Sequence, residues 1–405
     1  MRPSSVALLL LFAACRTERA APVDPTTPAA ATPVKVNEVA LALSKAVTLD
    51  ADDPATCESC HAEVVAEWRL SQHSRAHHVN DPLYAHLRMV RARKQGDGIP
   101  AQCARCHSPR DVTDFDSKAA QTGVSCATCH QLDGVHLEGE KKGIEALTWA
   151  PAKVFRGPHD IPTGVSPVHA NGPALPAIAD GKTLCLACHG EEKNAAGVTS
   201  CSTGVEHARA ADAKSCVSCH LPEVQGPSGA VSSRPTHRSH VFTGPQHAIR
   251  TKAPGLVGAA VALTARFEGD RLVARLENRA QHGFPTGFPA RLARVDFVGF
   301  DGSGNEVFRN LREDPMKDHP EAILNRGYVD AEGKPSLAPF AAKQVRDARL
   351  QAGEVREVSM QVPPPVVKAE VRLTFVLLAP MAAKMMAYEG PETEGLRLAT
   401  VTVSR

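Results

Sequence analysis

Between residues 57 and 220 the chain writes C-x-x-C-H five times: Cys57, Cys60, His61; Cys103, Cys106, His107; Cys126, Cys129, His130; Cys185, Cys188, His189; and Cys216, Cys219, His220. With 12 cysteines and 18 histidines in 405 residues, a shuffled chain would hold roughly 0.02 such matches. The pattern reads as c-type haem attachment: both thiols add to vinyl groups and the adjoining histidine becomes the proximal iron ligand. Structural zinc also takes C-x-x-C, but it wants four ligands per site, and five separated pairs do not divide into four-thiolate sites. A disulfide framework gives no reason for a constant step followed by histidine. The motifs therefore predict five covalently attached haem c groups, with His61, His107, His130, His189 and His220 as proximal ligands.

Aromatic residues are only 4% of the chain, and its first two hundred residues hold few long apolar runs. Five macrocycles would supply the missing core, so the motif-bearing part should be loop-rich and fold only with its cofactors. The formal charge of +2 becomes roughly −3 with five oxidised haems and roughly −8 with five reduced ones. Nothing in the sequence suggests a nucleic-acid partner.

The opening MRPSSVALLLLFAAC pairs Arg2 with a short apolar run and small residues before Cys15, the pattern of a secretory signal too short to span a bilayer. Ala13-Ala14-Cys15 resembles a bacterial lipobox, although Phe12 stands where leucine is usual; simple cleavage near Ala21 is the competing outcome. Lipid on Cys15 would make the protein an exported, membrane-anchored lipoprotein, periplasmic or on the cell surface. The expected organisation is a signal peptide (1–15), a disordered Pro/Ala-rich tether (16–50), a pentahaem domain (51–254) and a β-domain (255–405).

The motifs recur at irregular steps, which excludes a fixed-period solenoid. The clearest helix is expected over 63–79, placing His73 and His77 on one face. Beyond residue 255 cysteine vanishes and short alternating segments appear at 271–278, 291–300, 354–362, 369–379 and 395–404, with DGSGNE (301–306) as a hairpin turn. The fold class expected is α + β and multidomain: a loop-rich, mostly helical multihaem domain followed by an antiparallel immunoglobulin-like β-sandwich.

A second axial histidine closes an iron and leaves electron transfer as its main chemistry, whereas an open iron can bind substrate. Thirteen histidines lie outside the motifs. Here the chain resembles the multihaem cytochromes c related to the nitrifiers' tetrahaem electron carrier and to hydroxylamine oxidoreductase. Cys57 to His61 followed by Trp68, Ser71 and His73 is similar to that group's C-x-x-C-H then W-x-x-S-x-H. SPVHA with His169 resembles its S-P-x-H, and RSHVFTG with His240 its R-x-H-x-F-x-G. The resemblance implies that these histidines ligate haems of other motifs. His136 stands where the group often has a ligand, although QLDGV replaces the usual G-P-G text. NRAQHGFPTGFPAR resembles an N-x-x-G-H-x-x-P-T-G segment, with Gln281 in place of glycine, and offers His282, either as a ligand or as an ordinary loop histidine. The candidate distal set is thus His73, His136, His169, His240 and His282, with His77, His78, His207 and His247 in reserve. Cys201 reads as a buried thiol, and Met381, Met385 and Met386 as packing.

These readings leave three functions open. The first is electron transfer through mostly bis-histidine haems, exchanging with redox proteins or quinol-linked membrane complexes. The second is a reductase of nitrogen or sulfur oxyanions with one open haem. The third is a structural subunit of an extracellular electron conduit. The pentahaem nitrite reductases carry lysine in one motif, and all five motifs here end in histidine. No nucleophile elbow, phosphate loop or dinucleotide fingerprint is present, so no non-haem catalytic residue is assigned.

Overall fold

The computed structural model describes Ala42, Lys45 and residues 47–312 and 315–405. The expected signal peptide, Cys15 and most of the tether lie outside the described residues. Val36–Arg405 forms one compact unit of mixed helix and antiparallel strand. No helix among the described residues is long and apolar enough to cross a membrane.

The motif-bearing part is built from short helices and two-stranded ribbons. Helix α1 (Ala55–Leu70) carries the first motif and kinks at His61, where φ −120° and ψ 41° leave the helical region. The helix expected over 63–79 thus begins earlier and stops at Leu70. Ser71 ends it by turning extended, and its buried hydroxyl accepts from the Ser74 amide, the local competition with helix that serine favours. His73 and His77 consequently leave the helix and do not share one of its faces. Helix α2 (Pro82–Gln95) starts with Asp81 accepting from the Tyr84 amide and with proline in its first turn. The second, third, fourth and fifth motifs each end a short helix: α3 (Ile99–His107), α4 (Cys126–His130), α5 (Thr183–His189) and α6 (Val217–His220). Residues three apart share a helix face, so these helices put both thiols of a motif on one side.

The strand-rich part begins at Val261. Strands β1 (Val261–Glu268), β2 (Arg271–Asn278) and β7 (Val355–Gln361) form one antiparallel sheet in the order β7-β2-β1. The other has the order β6-β5-β3-β8-β9, with β4 beside β3. Its members are β3 (Leu292–Phe300), β4 (Glu306–Arg309), β5 (Ile323–Val329), β6 (Lys343–Asp347), β8 (Lys368–Val376) and β9 (Gly395–Ser404). Gly269 at φ +61° makes the two-residue turn between β1 and β2, a conformation that glycine adopts without a Cβ penalty. Asp301 closes the β3–β4 hairpin by accepting from the amides of Ser303 and Asn305.

Both sheets face one apolar core. Leu272, Leu276 and Val358 come from the first sheet, and Val295, Phe297, Val371, Leu373 and Phe375 from the second. A smaller cluster ties the two parts of the unit together. Leu83 and Leu87 of α2 pack against Leu378, Ala382, Ala383 and Met386 around helix α7 (Pro380–Met386). Met386 is buried there, as the packing reading expects, while Met381 is exposed; both lie on a helix rather than at a strand end.

Candidate haem sites

Four of the five motif histidines face a second imidazole at nearly one separation. Ring centroids are 6.4 Å apart for His61 and His169, 6.2 Å for His73 and His189, 6.2 Å for His130 and His240, and 6.4 Å for His220 and His282. Two metal–imidazole bonds of about 2 Å, with the ring radius added at each end, separate two centroids by roughly 6.3 Å. Stacked rings without a metal between them would lie closer. The gap is the space that one iron needs, and the partner of each motif histidine lies on a distant stretch of chain.

The hydrogen bonds of these rings orient them for the same role. His61, His130 and His220 engage the carbonyls of Ser228, Arg156 and Thr243 through Nδ1 at 2.6, 2.8 and 2.9 Å. His240 and His282 do so with Arg238 and Gly283 at 2.7 and 3.0 Å. A ring whose Nδ1–H is held by a carbonyl presents Nε2 as a bare lone pair, the tautomer that a metal takes. Burial, reinforced by neighbouring imidazoles, pushes His73 down to about 3. Burial likewise brings His189 and His240 to about 4, and it lowers His130, His169 and His282. At these six positions burial thus favours the neutral imidazole, the form that ligation requires.

The site of the second motif differs. His107 also bonds a carbonyl through Nδ1, that of Ala76 at 3.0 Å, but the ring it meets is Tyr84, stacked face to face at 3.9 Å and 12°. Among the described residues no histidine ring stands opposite His107. His136 is exposed, its Nε2 lying 2.9 Å from where a Cβ on Gly134 would stand, and its amide continues the ribbon by bonding Ala146. His77 is buried beside His78, with Nε2 unpartnered. His207 bonds the carbonyl of Lys214, and His247 has a buried unpartnered Nδ1. Cys201 is half-buried with Sγ 3.9 Å from the Thr203 hydroxyl.

The motifs also touch one another. The Cys57 thiol meets Cys126, Cys106 meets Cys188, and Cys185 meets Cys216, linking motifs one to three, two to four and four to five. Phe242 contacts the rings of both His73 and His240, at 4.3 and 5.8 Å, and so joins the third site to the fourth. Sequence reasoning missed Tyr84, because an aromatic residue stacked on a motif histidine carries no spacing signal of its own; Phe242 stood in the R-x-H-x-F-x-G resemblance, but with no role assigned to it.

Buried polar atoms without partners are rare in proteins, yet several border these sites. Gln131 Oε1 and Arg156 Nε lie on residues that adjoin or bond His130, and Arg291 Nε lies on a buried guanidinium whose charge reaches His189. The two guanidinium donors fit a cofactor that carries carboxylates, whereas Gln131 Oε1 is an acceptor and does not pair with one. The eleven described cysteines are free, and no cluster of three or more metal-ligating side chains occurs among the described residues.

Residues 56–131, which hold the first three motifs, Trp68, Ser71 and His73, match the family described as cytochrome c554 and c-prime. No curated protein matches the chain. Among solved structures it is similar to a penta-heme cytochrome c552 from Thermochromatium tepidum, with a TM-score of 0.72 and 23% identity over 86% of this chain and 97% of that one. Joined to its five attachment motifs, these likenesses give the chain the fold of a multihaem cytochrome c.

Proposed function

We propose that the chain is an exported pentahaem electron-transfer protein with four closed irons and one open one. The pairs His61/His169, His73/His189, His130/His240 and His220/His282 each take one iron, and the recurring separation of 6.2 to 6.4 Å is the observation that carries this reading. Closed irons exchange electrons with little change in coordination. The thiol contacts and Phe242 give a route from the first site through the third to the fourth, branching there to the second and fifth. Kinship with the nitrifier carrier and hydroxylamine oxidoreductase group, lipid anchoring through Cys15, and exchange with redox proteins or a quinol-linked membrane complex belong to this reading. So does an immunoglobulin-like sandwich, since the strand orders β7-β2-β1 and β5-β3-β8-β9 correspond to E-B-A and C′-C-F-G.

One observation favours a second reading, the reductase of nitrogen or sulfur oxyanions: no histidine among the described residues opposes His107, and Tyr84 packs on its ring. The open iron would then sit at a branch end of the route, supplied with electrons through the fourth site. Electron paramagnetic resonance of the oxidised protein together with carbon monoxide titration of the reduced protein tests the ligand set. Four low-spin irons and one that binds carbon monoxide are expected. Five unreactive low-spin irons would overturn the open site, and two or more reactive ones would overturn the pairing.

A further inference from the structure

The loop that carries His282 is held by a carboxylate with no free acceptor site. Glu206, on the short helix Thr203–Ala208, is buried. Its Oε1 accepts from the Ser202 hydroxyl and from Nη1 of Arg349, and its Oε2 from the Gly283 amide at 3.0 Å and the Thr286 hydroxyl at 2.5 Å. A carboxylate has about four lone-pair sites, and all are used. Two of the four donors, Gly283 and Thr286, belong to the loop itself, the first of them next to His282. Arg349 is also buried and is shared with Asp347 through Nε and Nη2 at 2.8 and 2.7 Å. A buried ion pair of this kind adds little to stability compared with apolar packing, and its best-attested use is to specify one arrangement.

Further contacts bring the same loop to the last motif. His207, next to Glu206, bonds the carbonyl of Lys214, and Gln281 bonds the Lys214 amide, two residues before Cys216. Asn278 at the end of β2 donates to the His282 carbonyl at 2.8 Å. The residue after His282 packs closely on the clamp, since a Cβ on Gly283 would stand 2.9 Å from Glu206 Oε2 and 3.2 Å from Arg349 Nη1 and would press on both side chains.

Resting on the reading that His282 and His220 share an iron, we propose that Glu206 is the positioning residue for His282, its Arg349-held carboxylate fixing the 282–286 loop so that the imidazole stays on the iron of the Cys216–His220 site. An ion pair that merely joined two parts of the chain would alter stability and leave the coordination of that iron unchanged.

The test uses the full-length, haem-loaded protein and reads carbon monoxide binding and low-spin resonance, with the signals of the other sites as the folding control. Glu206→Gln keeps the volume but can no longer accept all four donors, and loss of charged hydrogen bonds should raise the open fraction of the Cys216–His220 iron roughly 10- to 100-fold. One additional iron should then bind carbon monoxide, and Glu206→Asp should restore part of the closed state. A Glu206→Gln protein with five haems and a wild-type carbon monoxide response overturns the proposal. If that variant does not mature, Thr286→Val removes one donor without changing charge; a smaller rise at the same iron supports the proposal and an unchanged iron overturns it. His282→Ala separates the two ideas. If it opens no iron, the ligand reading fails; if it opens one and Glu206→Gln does not, only the positioning role fails.

Discussion

The rings of His220 and His282 stand 6.4 Å apart and 23° from parallel, one in the last attachment motif and the other in the loop that follows β2. This pair spans the seam between the motif-bearing part and the sheets. The strand-rich part is therefore more than a cap, because it brings an imidazole to face the histidine of an attachment motif.

His282→Ala should remove that imidazole without touching either thiol of the motif. The expected outcome is an unchanged haem count, loss of one low-spin signal and one new carbon monoxide-binding iron. His169→Ala should do the same at the His61 site. A spectrum unchanged by either substitution would remove that histidine from the ligand set.

The five intact motifs predict five haem additions in the intact mass of the mature chain. Changing both cysteines of one motif to serine should subtract one addition. A wild-type mass with four additions would identify an empty motif, to be located by peptide mapping.

Burial raises the Glu206 carboxyl, but the Arg349 charge and the hydrogen bonds from Ser202 and Thr286 outweigh it and bring it down to about 2. A carboxyl depressed in the folded state contributes stability that is complete above its unfolded value and disappears as pH falls through the folded one. The clamp should therefore weaken between about pH 5 and pH 2, with roughly 2 to 3 kcal/mol at stake. Urea unfolding at several pH values should show Glu206→Gln flattening this acid limb relative to wild type. Parallel limbs in the two proteins would show that the carboxylate is not ionised in the clamp.

Cys15→Ser tests the expected anchor. The wild type should fractionate with membranes and carry acyl chains, and the variant should be exported and soluble. An unacylated, soluble wild type would instead support simple cleavage near Ala21.

The sequence alone determined what is local. C-x-x-C-H is a contiguous pattern, so its five positions could be read directly, as could the alternation of β2, β3, β7, β8 and β9 and the Asp301 turn. The edge strand β6 was not legible, because its five residues, KQVRD, alternate exposed and half-buried without an apolar face. Helix α1 was placed too far along the chain, because no glycine or proline interrupts 63–79, whereas a serine hydroxyl ends it at Leu70. Which imidazole faces which motif was decided only by tertiary structure, since each pair joins segments far apart in the chain and their meeting depends on how the intervening loops pack. The resemblance singled out His73, His169, His240 and His282 but could not assign partners, and it offered His136, which the fold leaves on the surface. The stacking of Tyr84 on the His107 ring, where each of the other four motif histidines meets a second imidazole, has no sequence pattern at all. It follows from where α2 is docked by Leu83 and Leu87 against α7, a contact between residues some three hundred positions apart.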